Sequence, residues 1–145
     1  MTQGVSTAGA AKPESAGAPK GAGAGYLTLR IGIVITAASI LLQAFSAGEV
    51  LTNGSLLSLH GAGAAGVHGG ALIAAIGATL LWRPARLAGW PALVTWVLFL
   101  ATFAQSAMGS VTTLNVHVPL AIALTLVTTW VLVWSFIPPR APAAK

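Results

Sequence analysis

Three histidines are the side chains of this sequence best suited to chemistry, and two of them occupy matching positions. His60 and His68 lie in the run LHGAGAAGVHGG, and His117 lies in LNVHVPLA. His60 and His117 each fall within a residue or two of the beginning of an apolar segment. Neutral imidazoles at such positions are what a pair of axial ligands to one haem iron requires. The alternative is that both rings lie at a wet membrane interface.

The residues that follow His60 are almost all glycine and alanine. A helix surface this bare either lets a neighbouring helix pack closely through small-xxx-small pairs or leaves room for a flat molecule beside a ligating histidine. We therefore count Gly61 and Gly63 with His60 and His117 as candidate cofactor-binding residues. Close packing is the competing interpretation of the same glycines.

His68 follows His60 by two helical turns, about 12 Å along a helix, so the two rings cannot share one ligand plane. The depth of His68 is closer to that of Gln43 and Gln105, which lie near the ends of two other apolar segments. A His–Gln hydrogen-bond cluster, a quinone contact and an alternative metal or haem ligand all suit these residues. A single interhelical hydrogen bond is the simplest interpretation of His68.

The composition places these residues in a membrane protein. The chain has 145 residues, of which 56% are hydrophobic and 6% charged, and its mean hydropathy is +0.86. Soluble domains carry about 25% charged residues. A membrane crossing needs about 20 apolar residues, so four crossings use most of the chain.

The apolar segments predict an all-α integral membrane protein, with an antiparallel up-down bundle of four transmembrane helices. The predicted helices span residues 31–50, 59–82, 90–110 and 116–137, within a transmembrane domain of residues 26–138. Short links make consecutive helices antiparallel neighbours. Residues 1–25 are rich in Ala, Gly, Ser and Pro and are predicted to form a disordered cytoplasmic tail. Residues 139–145 form a second tail.

The basic residues all fall on one side of the predicted membrane. They precede the first helix, lie between the second and third, or follow the fourth: Lys12, Lys20, Arg30, Arg83, Arg86, Arg140 and Lys145. This pattern predicts that both termini are cytoplasmic and that the protein lies in the inner (plasma) membrane. The net charge of +5 is therefore expected to face anionic lipids, and no nucleic-acid partner is indicated.

Several kinds of chemistry lack the residues that they need. Without cysteine, the chain cannot form a disulfide, a thiolate metal site or a covalent c-type haem attachment. The sequence contains no Ser-His-Asp set, P-loop or HExxH pattern, so hydrolysis and phosphoryl transfer have no visible machinery. We do not predict an enzyme.

Two stretches carry a resemblance to known proteins. GEVL…LHGAGA in the first half and QSAMG…VHVPLA in the second, between residues 48 and 121, resemble a small group of bacterial four-helix membrane proteins of uncertain function. More distantly, they resemble one four-helix half of the haem A synthase fold. This resemblance implies a b-type haem with His60 and His117 as its axial ligands. The chain lacks the cysteine pair of some haem A synthases, so the resemblance does not extend to their catalysis.

Three hypotheses about function follow from the sequence. The first is a membrane protein that binds haem b between the second and fourth helices. Its role would be electron transfer or haem handling. The second is a structural or assembly subunit of a larger membrane complex, without a cofactor, in which the glycines matter and the histidines do not. The third is a homo-oligomeric transporter with His68, Gln43 and Gln105 along a polar path.

Overall fold

The computed structural model describes residues 21–137, and all of the regular secondary structure in that range is helical. Four long helices follow one another: α1 (Ala22–Asn53), α2 (Leu57–Trp82), α3 (Trp90–Ala107) and α4 (Leu114–Phe136), with a short 3₁₀ turn at Val111–Thr113 before α4. No strand occurs between residues 21 and 137. All four helices are long and apolar enough to cross a membrane. The four predicted helices are therefore confirmed as helices.

The helix boundaries differ most from the predicted ones at the beginning of α1. The predicted first helix begins at Ile31 because the apolar run starts after Arg30, whereas α1 begins at Ala22. Residues Ala22–Gly25, assigned to the disordered tail, are thus helical. The rest of the predicted tail, residues 1–20, and the second tail, residues 139–145, lie outside the described residues.

Tertiary contacts explain why a glycine-rich segment joins α1. Leu29 is fully buried, and the backbone of α2 at Gly77 approaches so closely that a Cβ there would overlap the Leu29 backbone. Tyr26 lies 6.2 Å from Trp134 of α4, measured between ring centroids. Packing against two other helices therefore outweighs the low helix propensity of glycine in this segment.

Glycines hold α1 and α2 together along most of their length. A Cβ at Gly32 would overlap backbone atoms of Ala74 and Gly70 of α2, and a Cβ at Gly70 would lie 2.7 Å from the Thr36 nitrogen of α1. A Cβ at Gly66 would lie 2.5 Å from the Oγ of the Ser39 side chain of α1. The α1–α2 interface thus uses small-xxx-small packing, as one of the two interpretations of the glycine run predicted.

The two ends of the bundle differ in chemistry. At one end, which we call the histidine end, the α1–α2 and α3–α4 links approach His60 and His117. At the other, which we call the arginine end, the Nε of Arg30 donates a 2.9 Å hydrogen bond to the carbonyl oxygen of Ser135. Trp90 stacks on Trp130, with centroids 4.8 Å apart. At the arginine end, aromatic contacts and the hydrogen bond of Arg30 therefore connect the helices.

The order of the helices around the bundle places α2 and α4 on a diagonal. Each helix packs against the two on either side of it in the order α1, α2, α3, α4. Within residues 21–137, no Cα atom of α2 lies within 8 Å of one in α4. Residues on α2 and α4 can therefore face each other across the centre of the bundle.

Candidate functional site

A cavity of about 520 Å³ lies at the histidine end and is lined by all four helices. Its volume falls within the range of small-molecule and cofactor sites, about 300–1,000 Å³. All but one of the predicted site residues line it: His60, His68, His117, Gln43, Gln105 and Gly61. We call this space the histidine cavity. Residues that are far apart in the sequence are thus brought to one place.

Gly63 is the predicted site residue that does not line the cavity. A Cβ at Gly63 would meet the Gln43 side chain at 3.4 Å, so this glycine belongs to the α1–α2 interface. A Cβ at Gly61 would meet nothing within 4 Å. The glycines that follow His60 therefore have two roles. Gly63 lets α1 approach, and Gly61 leaves the cavity open.

His60 is held by a serine of α1. Its Nδ1 lies 3.0 Å from the Oγ of Ser46. Ser46 already donates its hydroxyl proton to the carbonyl oxygen of Leu42 at 2.8 Å, so its Oγ must accept the proton of His60 Nδ1. In a neutral imidazole the lone pair then lies on Nε2, which has no hydrogen-bond partner among residues 21–137.

His117 is held by the backbone of α3. Its Nδ1 lies 2.9 Å from the carbonyl oxygen of Gln105. A carbonyl only accepts, so Nδ1 carries the proton and Nε2 carries the lone pair. In return, the side-chain amide of Gln105 donates to the carbonyl oxygen of His117 at 3.0 Å. This reciprocal pair joins α3 to α4 beside the cavity.

His68 differs because α3 engages both of its ring nitrogens. Its Nδ1 lies 2.7 Å from the Oγ1 of Thr102, and its Nε2 lies 3.2 Å from the Oγ of Ser106. Thr102 donates its proton to the Phe99 carbonyl, so Nδ1 of His68 is the donor and Nε2 accepts from Ser106. The ring also stacks on Phe103 at 4.4 Å.

The hydrogen bonds thus separate the three histidines into two classes. His60 and His117 each have Nδ1–H bonded to an acceptor and Nε2 available, an arrangement typical of histidines that ligate a metal. His68 has no ring nitrogen free. Its partners are hydroxyls of α3 and not Gln43 or Gln105, so within the described part of the chain the His–Gln cluster, one of the alternatives for His68, is not formed.

The two glutamines leave buried acceptors at the level of the cavity. The Oε1 atoms of Gln43 and Gln105 are buried and have no hydrogen-bond partner within residues 21–137. A buried acceptor without a donor costs about 1–3 kcal/mol. Two buried carbonyl oxygens of residues that line the cavity therefore lack a hydrogen-bond donor in the described part of the chain.

The residues that orient the imidazoles are not among the predicted site residues. Ser46, Thr102 and Ser106 each contact a histidine ring. The available signal was that the QAFSAG and QSAMG segments each precede a link and then a histidine. Ser46 lies in the first segment and Ser106 in the second, but the pairing of serine with ring requires the helix register.

Comparison with known proteins identified no match: no family description, curated protein or solved structure is similar to this chain.

Proposed function

We propose that this chain is a multi-pass protein of the inner (plasma) membrane whose four helices run antiparallel, with both termini in the cytoplasm. Contacts support the antiparallel arrangement, because the α1 residues Gly25, Gly32 and Ser46 approach Leu81, Ala74 and His60 of α2 in reverse order. The links are too short to cross the bilayer. The positions of the basic residues support the orientation with both termini in the cytoplasm.

The arginine end suits the cytoplasmic interface. Arg83 follows α2 and lies over the Trp82 ring at 4.5 Å, and Trp90 meets Trp134 edge-on at 4.8 Å. Indole rings and basic residues concentrate at cytoplasmic membrane boundaries. Within residues 21–137, the histidine end has no Lys or Arg in its links, which agrees with an outward-facing surface.

Within this membrane domain, the function that the geometry supports best is the binding of one b-type haem by His60 and His117, for electron transfer or haem handling. The observation that carries this proposal is the protonation pattern: these two histidines keep Nε2 available while the third does not. They come from the diagonal helices α2 and α4 and line the same cavity. The distant resemblance to half of the haem A synthase fold points to the same pair.

The number of protein ligands also favours a porphyrin over a bare metal ion. Within the described range, no group of three or more His, Asp or Glu side chains is placed to hold a metal ion. Two imidazoles complete the coordination of an iron whose other four ligands come from a porphyrin. A bound haem would supply reversible one-electron chemistry.

The chain's own residues would then orient the ligands and exclude water. Ser46 and the Gln105 carbonyl fix the ring tautomers and raise the donor strength of each imidazole. Gly61 leaves space beside His60, and apolar side chains such as Val67 and Leu124 form the inner wall of the cavity. A low-dielectric wall of this kind raises the reduction potential of a bound haem by disfavouring the more charged state.

An absorption spectrum of the protein, purified in detergent from cells supplied with haem, tests this proposal. We expect a Soret band with low-spin bis-histidine features, lost on His60→Ala or His117→Ala. His68→Ala is the matched control and should keep the spectrum, because neither nitrogen of His68 is available. Colourless wild-type protein would contradict the proposal. Co-purification with a larger complex, sensitive to Gly66→Leu but not to loss of the histidines, would favour the assembly-subunit hypothesis instead.

A further inference from the structure

Three of the four seams between neighbouring helices are closed at the level of the histidine cavity. Gly63 and Gly66 bring α2 against Gln43 and Ser39 of α1. His68 connects α2 to α3 through two hydroxyls. The reciprocal hydrogen bonds of Gln105 and His117, described above, connect α3 to α4. A molecule of any size would have to part directly bonded or tightly packed helices to pass through these seams.

The fourth seam, between α1 and α4, is joined at the opposite end of the bundle. Within residues 21–137, the hydrogen bond that links α1 to α4 is the one from Arg30 to Ser135, and the aromatic contact is the one between Tyr26 and Trp134. Both lie at the arginine end. The histidine end of this seam therefore has no polar bond to hold it shut in the described part of the chain.

Exposed apolar residues border the cavity along this open part of the seam. Ala44 of α1 lines the cavity and is exposed. Val118 and Ile122 of α4 also line it, and they are 47% and 58% exposed. We call this gap, bordered by Ala44, Val118 and Ile122, the α1–α4 opening. It lies on the flank of the bundle, where the hydrocarbon of a bilayer would meet it.

We propose that the histidine cavity takes up its ligand from the hydrocarbon phase through the α1–α4 opening. The ligand is thus a bilayer-dissolved, largely apolar molecule. This inference deepens the proposed function and rests on its placement of the helices in a membrane. A charged, water-soluble molecule would lose its hydration against alanine, valine and isoleucine side chains at a cost of several kcal/mol or more. Haem, which partitions into bilayers by its apolar ring, suits this route.

Photolabelling from the lipid phase tests the opening without any cofactor. The full chain is placed in phosphatidylcholine vesicles that carry a diazirine in an acyl chain, irradiated and mapped by peptide mass spectrometry. We expect label on Val67 and Leu98, which line the cavity but are only 8% and 2% exposed. Ala44→Trp should reduce this label several-fold. Ala38→Trp, an exposed α1 position that does not line the cavity, is the matched control.

The rate of haem uptake provides the second measurement. Haem preloaded into the same vesicles should transfer to wild-type protein and to Ala38→Trp at equal rates. Ala44→Trp should slow the transfer by about tenfold, because binding then requires the opening to widen. Val118→Trp, on the opposite side of the opening, should reproduce the effect and guards against a folding defect in a single variant.

The outcomes separate this inference from the haem proposal. Cavity labelling that Ala44→Trp blocks, in a protein that never binds haem, would support the opening and reject the haem. Haem binding with no label on Val67 or Leu98, or with uptake rates unaffected by both tryptophans, would overturn the opening and leave the haem site in place.

Discussion

At the scale of single residues, the partner of Nδ1 decides what each histidine can do. Ser46 and the Gln105 carbonyl fix the proton of His60 and His117 on Nδ1, while Thr102 and Ser106 occupy both nitrogens of His68. The three imidazoles line one cavity, but they differ in whether Nε2 is available to a ligand. Hydroxyl groups and one carbonyl oxygen determine this difference.

Ser46→Ala removes the acceptor for the Nδ1 proton of His60. We expect haem affinity to fall by about 10- to 100-fold, the usual effect of removing the hydrogen-bond partner of a ligating histidine. The midpoint potential should rise because the imidazole becomes a weaker donor. Haem titration in detergent and a redox titration measure both quantities. Ser46→Thr keeps the hydroxyl and should restore both values; if the alanine variant matches wild type, Ser46 has no role in positioning His60.

His68→Ala should lower stability without changing ligand binding. Loss of its interhelical hydrogen bonds should reduce the free energy of unfolding by about 1–2 kcal/mol. Thr102→Val removes the same hydrogen bond from the other side, so the double variant should cost less than the sum of the single ones. Unfolding in mixed micelles measures the three values. Strictly additive losses would show that the two side chains do not interact.

At the scale of helices, the glycines of α1 and α2 fall into two groups that the sequence does not distinguish. Gly32, Gly70 and Gly77 meet backbone atoms of the partner helix, whereas Gly61 and Gly69 have open space where a Cβ would be. Gly61, Gly69 and Gly70 even lie in one glycine- and alanine-rich run of α2. The difference arises from which side of each helix faces the other.

Gly32→Ala and Gly69→Ala should therefore have opposite effects on stability. The Cβ at residue 32 would overlap backbone atoms of α2 that cannot move independently, so we expect a loss of about 1–3 kcal/mol. The Cβ at residue 69 meets nothing, and alanine favours the helix by up to about 1 kcal/mol. Thermal or detergent unfolding measures both. Equal destabilisation by the two alanines would contradict the assigned α1–α2 interface.

Helix number and most helix ends could be predicted from the sequence, because apolar length and proline or turn residues are local signals. The predicted end at Trp82 and the predicted beginning at Trp90 match α2 and α3. The beginning of α1 could not be predicted, since Ala22–Leu29 is held by contacts with Gly77 and Trp134 and not by its own propensity. The candidate histidines were identifiable by type, but their tautomers depend on partners supplied by another helix.

At the scale of the whole molecule, the two ends of the bundle have opposite characters. The histidine end holds a cavity with available imidazole nitrogens, and the arginine end holds two stacked indoles and Arg30 over the Phe136 ring. This division suits a protein whose ligand lies near one membrane surface while the basic end anchors it at the other. Arg30 matters for this arrangement because it joins α1 to α4 where the bundle is closed.

The proposed orientation can be tested because the chain has no cysteine of its own. Single cysteines are placed at exposed positions in the three links: Ser55→Cys, Thr112→Cys and Ala88→Cys. A membrane-impermeant maleimide should label the first two in intact cells and the third only after lysis, since positive loops stay in the cytoplasm. If only Ala88→Cys is labelled in intact cells, the bundle has the opposite orientation in the membrane. The histidine cavity would then face the cytoplasm, and its redox partner would have to lie on that side.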